Sequence, residues 1–245
     1  MKRFFTLPTL IRFLAAWTLL ASTLMFVAAA LFMPPNSRAV IFMATGVAVI
    51  WIGVGGVGVW KMRERVRTFV QRLPLPVPVT FALFCTLLAL AEEAVTVSMT
   101  NLAPLFGVPL GVAYITASAN YLDVVLFHSV VVFVPMFIAW GWMLTRWAIP
   151  PNVAFLAFGF TGFLLEAAFA GMLNFVQMGF WVFVYGLMIY LPAYSFPARE
   201  DRRPLKGWHV PLLVLIPILC AIPVALVMST VHPISIHFPP IAPDS

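Results

Sequence analysis

Long apolar runs separated by short polar or proline-rich stretches dominate the chain. Seven of them, Phe13 to Met33, Ala39 to Trp60, Val77 to Thr100, Tyr121 to Thr145, Val153 to Leu173, Met178 to Tyr194 and Val210 to Ser229, are near the length of about 20 residues that an α-helix needs to cross a bilayer. An eighth apolar stretch, Leu102 to Ile115, is too short to cross and carries Pro104, Gly107, Pro109 and Gly111. It predicts an interfacial or re-entrant loop between spans three and four. The expected fold is therefore all-α: a polytopic transmembrane helix bundle of about seven spans, forming a single domain over residues 1–245. Residues 230–245 read as an extended Pro-rich outer tail.

The basic residues orient this bundle. Lys2, Arg3 and Arg12 precede the first span. Lys61, Arg63, Arg65, Arg67 and Arg72 follow the second, Arg146 follows the fourth, and Arg199, Arg202, Arg203 and Lys206 follow the sixth. With seven spans and a cytoplasmic N-terminus all thirteen lie in the cytoplasm, only Arg38 lies outside, and the C-terminus is external. Lys2, Arg3, the first apolar run and Ala28 to Ala30 also have the form of a signal peptide, but a run of about 21 residues suits a span better.

Composition agrees: 63% of residues are hydrophobic and 9% charged, far from soluble averages. The expected location is a cytoplasmic (inner) membrane. The net charge of +6 comes from the loops, so it points to membrane lipid headgroups as partners and not to nucleic acid. Cys85 and Cys220 both fall inside spans and form no disulfide framework. The oligomeric state is not encoded in any pattern here.

Against this apolar background, Glu92, Glu93, Asp123, His128 and Glu166 stand out. Ionised groups in hydrocarbon are costly and face a bundle interior or a watery cavity, so acids in the outer halves of three consecutive spans predict one buried polar site. Cys85, Glu92, Thr96 and Thr100 share one helical stripe, with Glu93 at its edge. Gly159, Gly162, Glu166, Ala170 and Gln177 share another, whose small residues permit close helix approach. Asp123 and His128 are about 140° apart on an ideal helix, so both reach one cavity only if that span is enclosed. The loop Asn101 to Asn120 would lie over the cavity as a lid or gate.

Carboxylates plus an imidazole form a hard O/N donor set suited to zinc, iron or manganese. The expectation is metal-dependent chemistry, such as hydrolysis, on a lipid or membrane-embedded peptide. Glu93, His128 and Glu166 would be metal ligands, Glu92 a general base or further ligand, and Asp123 a partner orienting His128 or gating entry. A proton- or cation-coupled transporter uses the same residue types, and a structural or assembly subunit needs them only as interhelical contacts; whether the chain is an enzyme stays open.

The Glu92-Glu93 pair resembles the adjacent glutamates of intramembrane CAAX-type proteases, which also carry histidines on later spans. The resemblance covers that dipeptide and His128. The arginine expected four residues after the second glutamate is absent, and Glu166 stands where a second histidine would be sought, so the chain is not assigned to that family. His232 and His237 fall in the tail and read as solvated, and Trp140, Trp142 and Trp147 as an inner aromatic belt beside Arg146.

Overall fold

The computed structural model describes residues 7–170, 174–196 and 202–232. Helix α1 is Leu7–Phe32. Helix α2, Pro35–Val47, continues through a π-helical stretch, Ala48–Gly55, into α3, Gly56–Val70. Then come α4 (Val77–Asn101), a 3₁₀ turn at Ala103–Phe106, α5 (Tyr121–Phe127), α6 (Val130–Arg146), α7 (Pro151–Ala170), α8 (Met178–Ser195) and α9 (His209–Val231). Among the described residues the strands are β1, Trp147–Ala148, and β2, Arg203–Pro204, which pair in parallel. Prolines sit in the first turns of α2, α4 and α7, where the missing N–H costs no helical bond.

Six helices are long and apolar enough to cross a membrane, and α5 with α6 makes a seventh if that bent pair is one span. Peripheral helices turn large apolar side chains outward, including Leu19 and Phe32 of α1 and Leu219 and Leu226 of α9. Such a surface suits lipid and would be a liability in water. The chain is a multi-pass membrane protein.

Two differences from the predicted elements have physical causes. The second apolar run ends at Trp60, yet the helix continues to Val70. Hydropathy records where the hydrocarbon stops, whereas Met62, Arg63, Glu64 and Arg65 are adequate helix formers in water. The fourth run is one hydrophobic segment but two helices, bent by 46°. The break lies at His128 and Ser129, whose backbone N–H groups both donate to the Val124 carbonyl.

Packing centres on α8, whose residues are largely buried between α7, α4 and α3. A Cβ on Gly159 would strike the Val182 backbone, and one on Gly162 would strike Tyr185, so these glycines let α7 and α8 approach closely. Gly141 does the same for α6 against α4, where a Cβ would lie 2.9 Å from the Pro78 carbonyl oxygen. Trp140 belongs to this core and not to an interfacial belt: it is fully buried and edge-on to Phe158. Trp142 and Trp147 do contact each other, with Arg146 over the Trp142 ring.

Contacts between chain-distant segments define two ends of the bundle. Gln71 Nε2 donates to the Ser195 carbonyl, joining the ends of α3 and α8, and β1 pairs with β2. The C-terminal ends of α3, α6 and α8, with the basic residues in and after them, therefore share one end.

Candidate functional site

The buried acids begin on α4. Its core-facing stripe runs through Cys85, Ala89, Glu92, Glu93 and Thr100, all buried. Thr96 Oγ1 donates to Glu92 Oε1 at 2.8 Å and also approaches the Glu92 carbonyl oxygen at 3.2 Å. Ser129, at the break between α5 and α6, donates its hydroxyl to the Val124 carbonyl at 3.4 Å and lines the same cavity as Glu93. On α7, Glu166 accepts a hydrogen bond from the Tyr185 hydroxyl of α8. The close approach at Gly162 positions that tyrosine.

The three glutamates are near enough to repel one another. Among the described residues no lysine or arginine forms an ion pair with them. Carboxylates taken out of water need a proton or a cation to offset their charge.

A second polar group lies where α5, the α5–α6 break and the end of α9 meet. One ligand atom from each of Asp123, His128 and His232 lies within 4.8 Å of the other two. His232 Nε2 is 3.1 Å from Asp123 Oδ1, with both side chains largely buried. The His232 ring stacks on Phe127 at 4.4 Å between centroids and meets His128 edge-on at 5.7 Å. Tetrahedral binding at about 2.0–2.2 Å puts donor atoms about 3.4 Å apart, so small side-chain adjustments would let this trio hold an ion. One carboxylate and two imidazoles suit catalytic zinc or non-haem iron, with positions left open for water or substrate.

Both groups border one cavity of about 1030 Å³, lined by Glu92, Glu93, Glu166, His128 and His232 among many apolar residues. The segment after α4 covers it. Gly107 and Gly111 take left-handed backbone conformations, with φ of 88° and 87°, which glycine adopts without a Cβ penalty. Asn101 Nδ2 donates to the Ala119 carbonyl, and the Ile115 amide donates to Thr100 Oγ1. These bonds fold the segment back over the end of α4, and Tyr114, Ile115, Thr116 and Ala117 form part of the cavity wall.

The expected ligand set of Glu93, His128 and Glu166 is regrouped. Among the described residues the three-residue cluster with metal-binding spacing is Asp123, His128 and His232. Glu93 and Glu166 instead lie with Glu92 and Tyr185. The 140° separation of Asp123 and His128 is overcome because the helix breaks after Phe127, freeing His128 from ideal helical phase. His232, expected in a solvated tail, closes α9 and is held between Phe127 and Asp123. The rest of the predicted tail, 233–245 with His237, lies outside the described residues.

Comparison with protein-family profiles, curated proteins and solved structures returns no match.

Proposed function

We propose that this multi-pass protein of a cytoplasmic membrane carries out metal-dependent hydrolysis of a lipid or another membrane-embedded substrate, with Asp123, His128 and His232 as ligands. The observation that carries the reading is the spacing of those three donors beside a large, mainly apolar cavity. Zinc, iron or manganese fits the donor set.

A divalent ion held there would supply Lewis acidity and a bound water with lowered pKa. Glu93, which lines the cavity together with Ser129 and His128, is the general base that takes a proton from the attacking water. It then returns that proton to the leaving alcohol as the ester C–O bond breaks, so one ester and one water give one acid and one alcohol. Glu92 and Glu166 line the cavity wall, where their carboxyl oxygens accept hydrogen bonds from the Thr96 and Tyr185 hydroxyls. The segment at Tyr114 to Ala117 limits water entry, which strengthens every electrostatic contact inside.

A second reading rests on a separate observation. Three carboxylates around one cavity, with no lysine or arginine paired to them among the described residues, also suit a proton- or cation-coupled transporter.

Elemental mass spectrometry separates the two. Protein purified without added metal, then reconstituted with zinc, iron or manganese, is expected to retain close to one ion per chain. Failure of all three to bind, together with a proton flux in liposomes that Glu166→Gln abolishes, would replace the hydrolase reading with the transporter.

A further inference from the structure

The cavity wall contributed by α9 has a direction. Ile218, Ala221, Ile222, Ala225 and Met228 line it at helical spacings of three and four, forming one stripe. Ser229 and His232 continue that stripe to the polar end. From Ile218 to His232 the helix rises roughly 21 Å at 1.5 Å per residue. A bilayer leaflet is about 15 Å thick, half the hydrocarbon core, so the apolar part is long enough to accompany an acyl chain over most of a leaflet. The alanines at 221 and 225 leave room beside the larger isoleucines. Leu219 and Leu226 on the same helix are exposed and outside the cavity lining, so α9 lies at the edge of the bundle, where bilayer lipid has access.

The chemistry of the wall discriminates between occupants. A membrane peptide opened for cleavage exposes backbone N–H and C=O groups that need partners in hydrocarbon, and the stripe offers none before Ser229. An acyl chain needs none. At the polar end, a divalent ion on one carboxylate and two neutral imidazoles keeps a net positive charge, complementary to the ester or acid oxygens of a lipid head.

We infer that the cavity binds a long-chain acyl lipid with its chain along the α9 stripe and its oxygen-bearing head at Asp123, His128 and His232. This inference rests on the reading of that trio as the reactive centre, and it narrows the substrate from any membrane-embedded molecule to an acyl lipid. The head belongs to a glycerophospholipid, the ester substrate, or to a free fatty acid, the acid product of its hydrolysis, and both present the same chain and a carbonyl or carboxylate oxygen.

The test is photo-cross-linking of the full chain in phosphatidylcholine nanodiscs, with metal content measured on the same samples. One arm uses a phosphatidylcholine and the other a free fatty acid, each with a diazirine either near the carboxyl end or at the chain terminus. In at least one arm, the near-carboxyl probe is expected to label Met228 to His232 and the terminal probe to label around Ile218. Both patterns are lost in Ala225→Trp, which fills the middle of the stripe, and weakened in the milder Ala225→Leu, while labelling of lipid-facing Leu219 and Leu226 and the metal content stay unchanged.

Labelling on the cavity face that shows no order along α9 in either arm, or that ignores both substitutions, overturns the inference even if metal binds. Ordered labelling in protein that binds no metal supports the acyl groove and overturns the metal reading, so the two failures are distinct.

Discussion

At the scale of single residues, the site is built from polar groups that meet across helices. Glu166 and Tyr185 link α7 to α8, and interhelical hydrogen bonds in membranes contribute about 0.6 kcal/mol on average and about 1.7 at most. A double-mutant cycle of Glu166→Gln and Tyr185→Phe, followed by unfolding in bicelles, is expected to give a coupling energy in that range; strictly additive effects would mean that the bond does not stabilise the pair. The sequence marked Glu92, Glu93, Asp123, His128 and Glu166 because each is an anomaly in an apolar run. His232 was not legible in the same way. It follows the last apolar run among prolines, and only the three-dimensional approach of the end of α9 to α5 makes it a partner of Asp123.

At the scale of elements, the α7–α8 pair depends on absent side chains. Gly159 packs on the Val182 backbone and Gly162 on the Tyr185 side chain, so Gly159→Val is expected to destabilise the protein by the roughly 1–3 kcal/mol typical of overpacking. Gly58→Ala is the contrasting case. A Cβ there meets nothing within 4 Å, and replacing glycine inside a helix gains about 0.5–1 kcal/mol. Thermal unfolding in one detergent would compare them, and equal effects of the two substitutions would contradict the packing described for α7 and α8. Helix existence was legible because hydropathy reports spans directly. The break in the fourth span was not, since His128 and Ser129 carry neither the proline nor the glycine that usually announces one, and Pro135 lies farther along within α6.

For the whole molecule, the C-terminal ends of α3, α6 and α8 come together at one end, and α3 from Lys61 onward, the end of α6 and the residues up to Lys206 carry most of the basic residues. The positive-inside rule predicts that this end faces the cytoplasm. In a Cys220→Ser background, with Cys85 buried, Asn36→Cys should react with an impermeant maleimide on intact cells and Lys206→Cys only after permeabilisation; the reverse pattern would invert the orientation. The same closure of the bundle brings α9 back to α5 and assembles Asp123, His128 and His232. Elemental mass spectrometry of correctly folded His232→Ala and Glu166→Gln proteins beside wild type is the decisive experiment on that assembly. His232→Ala is expected to lose the metal and Glu166→Gln to keep it. Retention in His232→Ala with loss in Glu166→Gln would contradict that expectation and return the ligands to the glutamate cluster.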